Sequence, residues 1–540
     1  ANTFYANGIT GQGSVTANVE AGFIWNGHET LGHVSQYVND PSAFDDPGTV
    51  GNQTSDLFDR HATWVGMTIG GRNTANPQGY QTGIAPGTDL KSGAISSGWA
   101  GNAYALSFSF TANSFVTPYA AYFGSSDVIN SSWGGTDTFG ADDTTIALDG
   151  LAIQNPRTTF VASAGNDGDP DNNPSTPPVT NTVGAPASGY NSISVGALQN
   201  DGNNHYNSVA SFSSRGPQDF GYADFSQGGA TFGCLACRAA VDIVAPGTNL
   251  TLAYYGGATG GNNPTLTGSP SGSLGGPNVY SGGLAGTSFA APIVAGGAAL
   301  LDSASYNTPA LAVNPNSRDA RVIKAVLMNS ATKIAGWNNG ETPNANGGVD
   351  TQQSLDYNSG AGAMNLTAAY AQYVTAGTRD VPGTAGGVQV PVAPVGWDFG
   401  QVTLGTDNVY PIAPVLNAGM VMTVTLDWFR DRIFDTSTFD LNEVAQSDLD
   451  LYVRDTITGN LISASDSFVN DVEHLFFALP RSSRYQIEIN FSGTVFDFTG
   501  THNVEQYGLA WSVLPAAVPE PASCVLAAMG FFVVASFRRR

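Results

Sequence analysis

Gly286-Thr287-Ser288-Phe289-Ala290-Ala291-Pro292, running on into the small-residue segment Ile293 to Leu301, is the stretch from which the rest of this chain is best understood. A hydroxyl stands just ahead of a segment that reads as a buried helix. Gly286 permits a tight turn where a side chain would obstruct. Ala290 and Ala291 allow another backbone to come close, and Pro292 is expected to lie in a first helical turn, where proline is tolerated. A serine at a helix N-terminus has unpaired N–H groups and the positive end of the helix dipole beside it, both suited to developing negative charge. The same serine would serve equally as a plain N-cap on a core helix. What the rest of the chain brings to it decides between the two.

At 540 residues the chain is longer than one ordinary hydrophobic core supports, so two or more domains are expected. Hydrophobic residues make up 41% and aromatic ones 10%, enough to fold rather than stay disordered. The 66 glycines show no collagen-like period and read as loops and turns. Acidic residues outnumber basic ones 43 to 19, and the formal charge of −24 argues against nucleic acid or an anionic membrane as partner of the folded part. An acidic chain rich in Thr, Asn, Ser and Gly, whose only lysines are Lys91, Lys324 and Lys333, suits an extracellular protein. It opens at Ala1 with no signal peptide, as expected of a chain whose leader has been removed or of a fragment. Cys234-Leu235-Ala236-Cys237 lacks a second C-x-x-C pair, so zinc would need distant ligands. A small-loop disulfide in a surface insertion is the expectation for an exported chain.

Working outward from Ser288, the N-terminal half alternates short apolar runs with helical stretches. Gly13 to Gly22 is a β-type run leading to Glu20, Ala21 and Gly22. Asp59 to Gly71 is small and apolar and predicts a buried helix beginning near His61, where a lone histidine is ordinarily a core or cap residue. Val128 to Gly135 and Thr158 to Asn166 are buried strands entering glycine turns, with a helix over Thr144 to Gln154 between them. Ser192 to Ala197 and Val241 to Gly247 are further strands, and Asp319 to Thr332 is a helix with Val322, Ile323, Val326 and Leu327 on one face. This alternation predicts an α/β fold, a parallel sheet covered on both faces.

An acid, a histidine and a serine in that chain order, on such a framework, resemble the subtilisin-like serine proteases. Ser288 sits in an intact Gly-Thr-Ser-x-Ala-x-Pro nucleophile motif. His61 falls where the family carries His-Gly-Thr-x-Val, with Ala62 in place of Gly. Ala164-Gly165-Asn166 matches the segment bearing the oxyanion-hole Asn, and Asn130 to Gly134 is similar to the substrate-binding strand, with Trp133 where Leu is frequent. Ser213 to Pro217 and Ala245-Pro246-Gly247 look like two further landmarks. The resemblance spans roughly residues 10 to 375 and implies a three-layer subtilisin-like peptidase domain over residues 1–380. It implies Glu20, His61 and Ser288 as the catalytic residues and Asn166 as oxyanion donor. Ser132, Trp133, Gly134, Ser163, Ala164 and Gly165 would bind an extended protein or peptide substrate, and no cofactor is required for catalysis. The carboxylate departs from the family's Asp: this chain has Glu20-Ala21-Gly22, and its nearest rivals are Asp56 and Asp59.

Residues 381–396, with Pro382, Pro391, Pro394 and four glycines, read as a linker. Beyond them the hydrophobic period becomes two, in Met420 to Trp428, Leu449 to Val453 and Tyr485 to Phe491, predicting an antiparallel β-sandwich over residues 397–514. Asp448 to Val453 resembles the pre-peptidase C-terminal and convertase-type β-domains of secreted proteases. Asp448, Asp450, Asp466 and Asp471 are candidates for structural Ca²⁺, or else a solvated acidic face. Residues 515–540 combine Val518-Pro519-Glu520-Pro521, the apolar run Cys524 to Phe537 and Arg538-Arg539-Arg540. They resemble a PEP-CTERM sorting signal processed by an exosortase, with a plain tail anchor as the alternative. The expectation is an exported serine endopeptidase; the rival is a catalytically silent surface protein that uses the same fold for binding.

Overall fold

The apolar runs become strands of one sheet in the computed structural model, which describes residues 1–42, 57–72, 82–100, 107–171, 177–224, 229–255, 280–381, 383–387 and 389–515. These strands are β1 (Val15–Glu20), β2 (Tyr37–Val38), β3 (Asp89–Ala94), β4 (Val128–Ser131), β5 (Thr159–Ser163), β6 (Ser192–Asn200) and β7 (Ile243–Pro246). They lie in the order β7-β6-β5-β4-β1-β3-β2, all parallel, with Tyr206–Val209 added antiparallel to β6. Helices flanking this sheet include α1 (Arg60–Gly70), α2 (Asp143–Gln154), α3 (Thr287–Asn307) and α4 (Ala320–Asn329), together with Ala112–Tyr122 between β3 and β4.

Both faces of the sheet are covered, which is why its strands are apolar without alternation. Val128, Val161, Ile193 and Val195 pack with Ala290, Val294, Ala298 and Leu301 of α3 and Ile323 and Val326 of α4. Ala17, Val19, Ile129, Phe160 and Ala162 face the other way, onto Leu148 and Leu151 of α2 and onto Phe115 and Tyr119. Small residues in α3 answer to close contacts: a Cβ on Gly296 would meet Ile84 Cβ at 2.5 Å. Pro292 is the sixth residue of α3, not part of its first turn as the sequence implied. Its missing N–H therefore leaves the Ser288 carbonyl without the donor it would have four residues on.

The distal strands are β8 (Val395–Thr403), β9 (Asp407–Pro411), β10 (Val421–Trp428), β11 (Asp431–Phe434), β12 (Leu441–Asp455), β13 (Leu461–Ser465), β14 (Val472–Ala478), β15 (Tyr485–Asp497) and β16 (Val504–Leu514). One sheet runs β13-β12-β15-β9, with β11 on β12; the other runs β8-β16-β10-β14. Met422, Val424, Trp428, Leu451, Ile487, Ile489 and Trp511 fill the space between them and are fully buried.

The two halves are stitched together more closely than a linker implies. Val349–Thr351, well before residue 381, pairs in parallel with β13, and Thr378–Arg379 pairs with β8. The described part of 381–396 runs along the second domain, with Val390 N–H donating to Val409 O and Val392 N–H to Pro411 O, both at 2.9 Å; Pro382 lies outside the described residues. Charged side chains seal the junction. Arg432 reaches Asp149 of α2 at 2.7 Å and Glu443 at 2.8 Å, Arg430 also holds Glu443 at 2.8 Å, and Lys324 of α4 holds Asp427 of β10 at 3.1 Å. All six side chains are at most 4% exposed.

The four aspartates proposed for calcium do not form one oxygen cage. Asp471 is turned to the junction, 4.0 Å from Lys324 Nζ. Burial, and then the charge of Asp450, push Asp448 up to about 7, yet Asp450 is held by Tyr452 Oη and Asp448 by Ser492. Among the described residues no three His, Cys, Asp or Glu side chains are grouped to hold an ion. Cys234 and Cys237 are disulfide-bonded within the Gln218–Asp224 and Gly229–Arg238 hairpin. The tail from residue 516, with its apolar run and arginines, lies outside the described residues.

Candidate active site

A parallel sheet brings the carboxyl ends of its strands to one edge, where helix N-termini meet them. Here β1 ends in Glu20, β4 leads into Ser132 and β5 into Gly165 and Asn166, while α1 and α3 present His61 and Ser288 in their first turns.

Glu20 is 1% exposed, with both oxygens engaged. Oε2 lies 3.0 Å from His61 Nδ1, and Oε1 accepts the Ser132 N–H at 2.7 Å. The extra methylene relative to Asp thus carries one carboxylate to the imidazole and to the substrate-side strand together. Asp59 is occupied as N-cap of α1, accepting the Ala62 N–H at 3.0 Å, and Asp56 lies outside the described residues. Ala62, where the family has Gly, is fully buried, and its carbonyl accepts from Asn18 Nδ2 at 3.3 Å.

His61 packs beside Phe289 and Trp64, with ring centroids 6.0 and 6.4 Å away. Burial pulls its pKa down, but the hydrogen bond and charge of Glu20, helped by Asp59, outweigh it, and the net shift is upward. A carboxylate facing Nδ1 fixes the N–H there and leaves the Nε2 lone pair as the base. Ser288 is 9% exposed, and its Oγ–H donates to the Ser132 carbonyl at 3.1 Å. No hydrogen bond joins it to His61 among the described residues.

The turn after β5 is built around Gly165, whose φ of +109° suits glycine and where a Cβ would meet Ser214 Oγ at 2.8 Å. Asn166 Oδ1 accepts the Thr287 N–H at 2.9 Å and the Thr287 hydroxyl at 3.0 Å, while that hydroxyl accepts the Gly165 N–H at 3.2 Å. With its carbonyl end tied, Asn166 presents its Nδ2 donors. Phe289 N–H turns back to Gly286 O at 3.1 Å, which leaves Ser288 N–H as the companion first-turn donor.

The two further landmarks buttress this edge. Ser214 N–H donates to Gly165 O at 2.9 Å, and Gly286 N–H to Gly247 O at 2.8 Å. Of the residues expected on the substrate side, Gly134 is exposed and Ser132 is bonded to both Glu20 and Ser288. The Trp133 side chain is instead 8% exposed, bonded to Tyr119 Oη at 3.0 Å and packed among Phe108, Phe110 and Phe115. Ala164 has its N–H on Val195 O and its carbonyl on Gly184 N–H, so it forms wall, and Ser163 is buried beside it. Thr287 was not singled out by sequence reasoning; a hydroxyl adjoining the nucleophile was the available signal.

The sequence model of the subtilase family, Peptidase_S8, matches residues 26–362, well over half of the chain. The chain belongs to the subtilase family. It is accordingly a serine peptidase, acting on protein or peptide substrates and needing no cofactor for its chemistry. The match begins beyond Glu20, so the place of that residue rests on its geometry, Oε2 lying 3.0 Å from His61 Nδ1. No curated protein matches the chain at a significant level. Among solved structures, a serine protease of Aeromonas sobria is similar over 94% of this chain and 89% of its own, at 14% identity and a TM-score of 0.45. The prenylagaramide maturation protease PagA is similar over 68% of this chain and 96% of its own, at 20% identity and a TM-score of 0.40.

Proposed function

We propose that this subtilase is an exported serine endopeptidase working through a Glu20–His61–Ser288 relay, with Asn166 Nδ2 and Ser288 N–H as its oxyanion hole. The observation that carries the reading is Glu20 Oε2 at 3.0 Å from His61 Nδ1, on the strand edge that also presents Ser288. Ser288 Oγ attacks the scissile carbonyl carbon while His61 Nε2 takes its proton. Glu20 holds the ring and stabilises the imidazolium. Asn166 and the Ser288 N–H receive the charge on the tetrahedral oxygen. Collapse expels the amine with the proton from Nε2, and water repeats the sequence on the acyl-enzyme. The edge from Ser132 to Gly134 pairs with an extended backbone, so selection rests mainly on pocket shape.

A fluorophosphonate probe that labels Ser288 in the folded protein, together with cleavage inside the chains of a mixed peptide library, supports this reading. Absence of both hands the chain to the silent binding alternative. Against that alternative, the departure at Glu20 is accommodated, one oxygen on His61 Nδ1 and the other on the Ser132 N–H. Export is read from the acidic, lysine-poor composition and from the tail, where an exosortase-type enzyme would remove the segment after Val518-Pro519-Glu520-Pro521. Mass spectrometry of the exported protein tests the processing, and retention of Arg538 to Arg540 would refute it in favour of the plain tail anchor.

A further inference from the structure

Ser132 touches both ends of the relay through its own backbone. Its N–H donates to Glu20 Oε1 at 2.7 Å, and its carbonyl accepts the Ser288 hydroxyl at 3.1 Å. The side chain is held as well: Ser132 Oγ accepts from Asn130 Nδ2 at 3.1 Å, and Asn130 is fixed by Asn18 Oδ1 at 3.0 Å. Ser132 is thereby a rigid buried post, 4% exposed, between the carboxylate and the nucleophile.

A carbonyl oxygen accepts a hydrogen bond but takes no proton at neutral pH, so a hydroxyl parked on it is not activated. Reaction requires the Ser288 hydrogen to leave Ser132 and point to His61 Nε2. Resting on the endopeptidase reading, the same carbonyl lies on the edge that an extended substrate uses, so a substrate N–H competes for it.

We propose that Ser132 is a positioning residue whose carbonyl holds the nucleophile idle, and that the backbone N–H of a bound peptide releases it. Occupation of the Ser132 carbonyl by the N–H of the residue that supplies the scissile carbonyl displaces the hydroxyl, whose next acceptor is His61 Nε2. The step is an exchange of hydrogen bonds, with no bond made or broken. Its consequence is that a ligand lacking this N–H meets a poorly activated serine even when it reaches the oxyanion hole. Water and small electrophiles fall in that class, extended peptides do not, and the site is quiet until a main chain is seated.

The test uses the full chain and a small sulfonyl fluoride, which reaches Ser288 but carries no backbone N–H. Its second-order labelling rate is measured alone, with a saturating blocked tripeptide primary amide, and with the same tripeptide as its N,N-dimethyl amide. The primary amide delivers an N–H to the Ser132 carbonyl and stops short of Ser288; the dimethyl amide does not deliver one. The expected result is labelling accelerated by about tenfold or more by the primary amide alone, since access to a general base is worth about 10²–10⁴-fold. Labelling that is unchanged or slowed by both amides overturns the proposal, because the carbonyl then accepts both partners or the serine is already free. That outcome leaves the peptidase reading intact. Failure to label in any arm, with no cleavage of peptides, overturns both.

Discussion

Glu20→Asp restores the residue usual in the family, yet it is expected to damage this enzyme. The carboxylate leaves the end of β1 and meets His61 Nδ1 at 3.0 Å and Ser132 N–H at 2.7 Å. Removing one methylene withdraws both oxygens by roughly 1.5 Å, so the shorter contact opens to roughly 4 Å unless the strand moves. The strand is not free to move: β1 is hydrogen-bonded in parallel to β3 on one side and β4 on the other. Misplacement of about 1 Å in such a site costs about 10²-fold, equivalent to about 2.7 kcal/mol of transition-state stabilisation. The assay is kcat/KM on a peptide identified from library cleavage, with thermal unfolding as control for the fold. The expected result is a fall of about a hundredfold carried by kcat, with KM little changed because no substrate contact is removed. An Asp variant as active as the parent would refute the reasoning, since it would mean the backbone does not set the reach that Glu supplies.

Three further outcomes are expected. Because Glu20 raises the His61 pKa and catalysis needs neutral imidazole, the acid limb of kcat/KM should lie above the ordinary value of about 6.5 and move down in Glu20→Gln. The pair's stabilisation has the opposite sense, present below about pH 6.5 and lost as pH climbs through the raised value; a limb unmoved by Glu20→Gln would assign the role to another acid. Asn166→Leu should lower kcat by about 10²–10³-fold with KM nearly unchanged, and a rise in KM alone would place Asn166 in ground-state binding. Arg432→Met removes a fully buried guanidinium from between Asp149 and Glu443 and should destabilise by about 3–5 kcal/mol, read by urea unfolding followed through both tryptophan fluorescence and peptidase activity. A loss under about 1 kcal/mol would show that water reaches the junction.

The Arg432 variant bears on how the two halves cooperate. Asp149 and Lys324 belong to the peptidase helices, but their partners Arg432 and Asp427 come from the β-domain. Separating the domains would break these buried ion pairs and expose to water the apolar contacts that Trp397, Ala510 and Phe434 make with the peptidase half. The β-domain is therefore part of the peptidase's fold rather than a detachable appendage, and Val349–Thr351 lying in its sheet says the same of the backbone.

Much of the fold was legible in the sequence because it depends on near neighbours. Apolar runs bounded by glycine turns marked β1, β4, β5, β6 and β7, and period-two alternation marked the distal sheets. The Gly-Thr-Ser motif marked Ser288 as the candidate nucleophile, and chain order offered Glu20 and His61 as its candidate acid and base. What needed the tertiary structure is whatever depends on register between distant strands. Glu20 and Ser132 are 112 residues apart, and only the β1–β4 pairing brings the glutamate carboxylate within reach of the Ser132 N–H. The placement of the Ser288 hydroxyl on Ser132, the tie from Thr287 to Asn166 and the dry ion pairs at the junction have the same character. No local pattern encodes them, because each is a contact between groups that folding alone brings within a hydrogen bond's length.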